Sequence, residues 1–360
     1  MCVDCGKKCN NSCQKETVIT KYGLPEKKTV LNMKDPSALT AITVKNTVFV
    51  QKNGVDNTGL VERFDKPFLT IGAAVTAALA AFTSRSSTNR ILIKVESGLY
   101  NETIYLYNFI DFDLGNSVIS NSNASRSSIS SQNGTFTSVG IGEYNCIIYG
   151  NAQLLNTYSN LGIGLYTPNN IKSLISLASI TCTSGEPLAI GNGANVLLHC
   201  NVLKSANAQN SAIVQAIQMF IDTGLEATEA ATLEIHGCKI SNTYASNQTG
   251  VITASFSNVL NSGKQHKLTL VSCEVINNST GSSSINTYDD GSQFYGNLLL
   301  ILKDTIIYNS GTGESIKVLG VGSAISLLTY NSYSNKAVGA GGAAPTATYG
   351  TLNVNASIIV

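Results

Sequence analysis

Charge is scarce in this chain. Acidic and basic side chains make up 12% of its 360 residues and nearly cancel, leaving a formal net charge of +1. That is about half the usual charged share. No large electrostatic field therefore draws in nucleic acid or an anionic membrane surface. A low-charge surface of this size is prone to association. Tryptophan is missing altogether, and no arginine lies beyond Arg126. Long apolar runs are missing too. The stretch from Ile71 to Phe82 is too short to span a bilayer, which takes about 20 residues, and it reads as a buried helix. The first residues, Met1 to Lys8, carry no apolar signal-peptide core, so synthesis and folding in a cytoplasm are expected. Cysteines number nine. An odd count in a chain without a secretion signal argues against a disulfide framework.

What fills the space left by the ions is Asn, Ser, Thr and Gly, residues that supply turn geometry in sheet-rich proteins. From residue 116 onward, short strand patterns repeat. Leu233–Asn242, Leu268–Asn277 and Leu299–Tyr308 share one form: two alternating apolar positions, a small residue, then another apolar one. Asn195–Lys204 is a fainter copy, and Leu352–Val360 closes the chain with another. Alternation puts the apolar set on one face of each strand. The copies recur roughly every 30 to 50 residues, within or near the range of stacked solenoid units. Further strands are expected between copies, at Ile213–Ile221 and Val251–Phe256. The competing reading is a β-sandwich after residue 120. Cys200, Cys238 and Cys273 share one slot of the repeat, with Asp304 and Ser357 in the same slot further on. That substitution pattern points to a column of small buried side chains rather than a metal or redox ladder.

The segment Val48–Gly115 is the most distinctive. It orders a strand, a polar loop (Asn53–Gly59), the pattern Phe68-Leu-Thr-Ile71-x-x-Ala74-x-x-Ala77, the strand Ile91–Val95, and Gly98-Leu-Tyr100-Asn-Glu102-Thr-Ile104. This order resembles the opening of pectin lyase-like right-handed parallel β-helices. The resemblance implies an all-β solenoid with a helix covering its open first edge, where bare strand groups would otherwise invite pairing. Three parts follow: an extended arm at 1–46, an opening and capping unit at 47–115, and a β-helix body with terminal strand at 116–360.

The resemblance leaves activity open, since one fold hosts unrelated functions. Sugar cleavage would need two carboxylates facing each other across a cleft. The candidates are Asp111 and Asp113, which alternate on one strand, and the adjacent pair Asp289 and Asp290 in a loop-like segment. Enzymes similar to this fold, such as polygalacturonases, pectate lyases and pectin methylesterases, look to an arginine near such acids, and none lies beyond Arg126. A polysaccharide lyase or glycoside hydrolase is therefore the second reading. His199 and His236 each sit just before their cysteines, offset by one position between copies. Strand neighbours point to opposite faces, so His199 and Cys200 should not converge on one ion. Fifteen tyrosines, including Tyr100, Tyr105, Tyr107, Tyr144, Tyr149 and Tyr158, suit sugar stacking, interfaces or plain strand positions equally.

The arm carries Cys2, Cys5, Cys9 and Cys13 among many lysines. Four thiolates at this spacing could close a tetrahedral zinc site, form disulfides after release into an oxidising setting, or stay reduced. The chain ends on Ile358-Ile-Val360 without a polar cap, which suggests cover from a neighbouring chain or from the Ala/Gly loop at 338–345. Together these features give the leading expectation. It is a structural virion protein, a bacteriophage head or tail fibre or spike, trimeric, and made in the host cytoplasm. Its arm would be anchored on a capsid or tail protein, and a host surface glycan is a candidate ligand.

Overall fold

The computed structural model describes residues 45–121, 127–156, 162–165, 171–183, 185–191, 193–206, 216–220, 230–243, 250–254, 264–278, 283–287, 297–318, 323–339, 347–349 and 352–354. The arm, with Cys2, Cys5, Cys9 and Cys13, lies outside the described residues, as do Asp289 and Asp290.

The chain is an all-β solenoid of parallel strands, with a single helix among the described residues. It opens on β1 (Thr47–Val50), passes through helix α1 (Ile71–Ala81), and then coils. The first turn lays down β2 (Ile91–Val95), β3 (Leu99–Asn101) and β4 (Ile104–Tyr105). The second gives β5 (Ile110–Asp113), β6 (Val118–Asn121) and β7 (Ile129–Ser130). The third gives β8 (Cys146–Tyr149), β9 (Gln153–Asn156) and β10 (Ile163–Leu165). In the next two turns the first two strands fuse, giving β11 (Lys172–Cys182) with β12 (Leu188–Gly191) and β13 (Asn195–Ser205) with β14 (Ile217–Phe220). Separate strands then return as β15 (Thr232–His236), β16 (Lys239–Asn242), β17 (Ile252–Ala254), β18 (His266–Val271), β19 (Glu274–Asn277) and β20 (Ile285–Thr287). The last are β21 (Asn297–Lys303), β22 (Ile306–Asn309), β23 (Ile316–Lys317), β24 (Ala324–Tyr330), β25 (Tyr333–Ser334), β26 (Ala347–Tyr349) and β27 (Asn353–Val354). The expected extra strands at 213–221 and 251–256 are β14 and β17.

Every one of these strands pairs in parallel with strands one turn away, so the sandwich reading fails for the described residues. The pairing forms three ladders. One runs through β1, β2, β5, β8, β11, β13, β15, β18, β21, β24 and β26. A second runs through β3, β6, β9, β11, β13, β16, β19, β22, β25 and β27, and the fused strands β11 and β13 join these two. The third is β4, β7, β10, β12, β14, β17, β20 and β23. A turn can take 19 residues, Ile91 to Ile110, or 37, Asn195 to Thr232, without loss of register. The excess is absorbed between strands.

What register secures is a column of apolar side chains inside each ladder. In the first, Val48, Ile93, Phe112, Ile148, Ile175, Leu198, Ile235, Leu270 and Leu302 follow one another across paired positions, and all are fully buried. In the second the order is Tyr100, Ile119, Leu154, Ile180, Leu203, Ile240, Val275 and Ile307. In the third it is Ile104, Ile129, Ile163, Leu188, Ile217, Ile252, Ile285 and Ile316. Each buried Ile or Leu contributes about 1.5–3 kcal/mol, and β-branched residues suit the pleated surface.

A polar column lies beside the second. Asn121, Asn156, Cys182, Ser205, Asn242, Asn277 and Asn309 occupy successive paired positions, and all are buried. The amides clasp the chain as it leaves for the third ladder. Asn121 Nδ2 donates to Ser127 O at 3.1 Å, Asn277 Nδ2 to Ser283 O at 3.1 Å, and Asn309 Nδ2 to Gly313 O and Glu314 O at 3.0 Å. Asn335 continues the column, with its Oδ1 accepting from Asn309 N at 2.8 Å.

The helix is fixed by polar contacts at its start. Thr70 Oγ1 accepts from Ala73 N at 3.2 Å, and Asp56 Oδ1 accepts from Leu69 N and Thr70 N. Glu102 Oε1 and Oε2 accept from Ile71 N and Gly72 N at 2.9 and 2.8 Å. A carboxylate there satisfies orphan amides and meets the positive end of the helix dipole. The buried residues Ile71, Ala74, Val75 and Ala78 lie on one face, and the helix packs against β1, β2 and β4.

Two of the repeat copies need correction, and the first is Leu299–Tyr308. Leu268 pairs with Leu300, not Leu299. Val271 pairs with Lys303 and Glu274 with Ile306, so Thr305, not Asp304, continues the slot of Cys273. Asp304 instead joins Gly237, Ser272 and Asn331, all with left-handed backbone at the bend between the first two ladders. Short polar side chains and glycine tolerate that conformation best.

Changing Asn309 to Ala is expected to cost about 1–3 kcal/mol, because two partly buried carbonyls lose their donor. Urea unfolding checks this. An unchanged midpoint would mean that the polar column is not a clasp.

Candidate functional site

The acids proposed for sugar cleavage sit on the outer face of β5, alternating as expected. Both are engaged. Asp111 takes a two-pronged ion pair from Arg90, with Oδ2 2.6 Å from Nε and Oδ1 2.5 Å from Nη2, and its Oδ1 also accepts from Ile147 N at 2.8 Å. Arg90 in turn donates to Tyr144 O at 2.7 Å. The pair is largely sheltered, so Arg90 and Asp111 tie successive turns together. Asp113 Oδ2 lies 3.7 Å from Lys94 Nζ, and its Oδ1 accepts from Gly115 N at 3.1 Å. The two carboxylates share one face of one strand rather than opposing each other. Of the tyrosines, Tyr100 is a core residue, its phenol pushed up to about 12 by burial and by Glu96 and Glu102, while Tyr149 is exposed on β8.

A different group gathers where β11 and β13 pass the bend. A cleft of about 380 Å³ is lined there by Gly150, Asn151, Ser176, His199, Cys200 and His236, among others. His199 and His236 are directly paired across β13 and β15. Their ring centres are 4.9 Å apart with 40° between the planes. Both point outward, since Leu198 and Ile235 before them are in the core. His236 Nε2 lies 2.7 Å from Glu234 Oε1, and the two side chains are 33% and 46% exposed. Desolvation and the neighbouring His236 hold His199 below the ordinary imidazole range, against the smaller opposing pull of Glu234. The offset between the two histidines expected from the sequence is thus corrected: they are neighbours. A one-residue misalignment of the faint copy hid the pair, and the shared spacing to Val196 and Leu233 was the signal that reveals it.

The body cysteines are free and buried. Cys238 and Cys273 keep the slot expected of them, but the register that pairs His199 with His236 places Cys200 opposite Gly237, one residue out of that slot. Burial pushes the thiols of Cys146 and Cys273 up, and Cys182 up to about 12. Contact with Cys200 and burial together raise Cys238. Cys273 Sγ donates weakly to Ile235 O at 3.4 Å. Among the described residues, no group of three or more His, Cys, Asp or Glu side chains converges on a metal position. No described helix is long and apolar enough to cross a membrane. Comparison with family models, curated proteins and solved structures finds no match for this chain.

Two outcomes are expected. Asp111→Ala should destabilise the chain by about 2–4 kcal/mol, because it strands Arg90 in a sheltered site and frees the Ile147 amide. An unfolding curve unchanged from wild type would show the pair to be ornamental. The second concerns pH. The folded pKa of His199 lies below its unfolded value, so the unfolded state binds more protons between the two. Its contribution is therefore whole above the unfolded value, about 6.5, and fades as pH falls from there to the folded value. The loss in melting temperature from pH 7.5 to 5.5 should shrink in His199→Asn; an equal loss in both proteins would remove His199 from the account.

Proposed function

We propose that this chain is a structural virion protein, a fibre or spike of a bacteriophage head or tail. In this reading the solenoid is right-handed and pectin lyase-like, and α1 caps the free edge of β1. The arm at 1–46 anchors the particle end to a capsid or tail protein, with a zinc ion on Cys2, Cys5, Cys9 and Cys13 ordering a segment too small to fold alone. The shaft projects outward as a homotrimer and presents its polar face to a host surface glycan.

The observation that carries the reading is the set of three apolar columns, each at least eight paired residues long. A stack in which each turn is buried against the next is a stiff rod whose length grows with turn number, which is the mechanical requirement of a fibre. Association has support on the outer faces. Ile301 and Leu328 lie side by side there on β21 and β24. Beyond them Tyr330 is 57% exposed and Tyr333 is 39% exposed. Such apolar rows favour lateral packing of shafts. The cleavage reading draws nothing from Asp111 and Asp113, whose lone pairs already serve Arg90, Lys94 and backbone amides.

Mass under native conditions, by light scattering, tests the proposal on the full chain and on a version starting at Thr43. A trimer that survives loss of the arm is the expected result. A monomer in both versions would contradict it.

A further inference from the structure

We infer that His199 and His236 form a binding site for a divalent transition-metal ion of the nickel, copper or zinc kind. The inference is independent of the fibre reading. Parallel register is what creates the pair, because it sets two imidazoles side by side on adjacent strands of a rigid sheet. Nitrogen lies about 2.1 Å from such an ion. With about 1.1 Å more from ring centre to nitrogen, rings 4.9 Å apart subtend roughly 100° at a shared ion. That falls between the cis-octahedral and tetrahedral angles these metals adopt. The rings need only turn about χ2, a broad torsion for histidine.

Chemistry at the site agrees with geometry. Glu234, 2.7 Å from His236 Nε2, takes the role that carboxylates play behind metal-bound histidines. It accepts the second ring N–H, fixes the tautomer and raises ligand basicity. The ion would sit over the cleft beside Ser176 and Asn151, whose polar groups can hold its waters. Two protein nitrogens supply the first bonds and water completes the shell, consistent with the lack of a three-donor cluster among the described residues. The third histidine does not compete: His266 is fully buried, and its Nδ1 accepts from Ala231 N at 3.0 Å.

The test is a calorimetric titration of Ni²⁺ into the full chain at pH 7.5, with His199→Ala, His236→Ala and the double variant beside it. Any binding by the arm cysteines is common to all four proteins and cancels in the difference. Wild type is expected to bind one more Ni²⁺ per chain than the double variant. Each single variant should bind it at least about tenfold more weakly, and Glu234→Gln should keep the site but weaken it several-fold. Metal-free melting curves that coincide across the set would show that the fold is intact. A double variant whose Ni²⁺ isotherm matches wild type would overturn the inference.

Discussion

Among the described residues, the strand ladders join each turn to the turn before it and the turn after it, and they do so in parallel. Slipping a strand by one residue would swing its inward side chains out and its outward ones in. Ile235 would then face water, and His236 would enter the core in its place. The fold therefore depends on keeping Val48, Ile93, Phe112 and their successors in line along the first ladder, and on the matching columns in the other two. Turn length is free to vary by nearly a factor of two, because none of the variable residues belong to a column.

The same constraint arranges the outside. Residues paired across strands are near neighbours on the outer face as well, so an interaction made there recurs between turns rather than within one. Lys94 meets Asp113 this way, and Lys239 meets Glu274 at 3.5 Å. His199 meets His236 for the same reason, which makes the candidate metal site a by-product of stacking rather than of a dedicated loop. The polar clasp of asparagines follows the same logic one step inward. Its members hold the departing chain at a fixed height, so that each turn re-enters the third ladder in register.

Much of the architecture was legible in the sequence. Alternating apolar residues in Leu233–Asn242 and Leu268–Asn277 marked half-buried strands, and their recurrence marked a solenoid. The helix over Ile71–Ala81 and the strands that follow it were signalled by periodicity and by the glycine turn at Gly98. Glu102 stood in the opening motif without an assigned reason, and its reason is contact with helix amides far away in the chain. Register was harder to read. In Leu299–Tyr308 the first four residues are all apolar, so pattern alone could not decide whether Leu299 or Leu300 faced inward, and the slot of Cys273 was placed one residue early. A similar ambiguity in Asn195–Lys204 separated two histidines that pairing brings together. The asparagine column left a trace, an Asn closing Ile240-Ser-Asn242, Val275-Ile-Asn277 and Ile307-Tyr-Asn309, but its meaning depends on a partner across a loop.

Register is best tested where it can be touched without harming the core. Lys239 and Glu274 are exposed, paired one turn apart and distant in sequence. Replacing both with cysteine and treating the native protein with dibromobimane, a reagent that bridges thiols only a few ångströms apart, reads the pairing directly, with the bridge located by peptide mass mapping. The account expects efficient bridging of 239 to 274 and none between cysteines at 239 and 303, on strands further along the stack. Absence of the first bridge, or equal yield of both, would contradict the stacked parallel order on which the columns, the clasp and the histidine pair all rest.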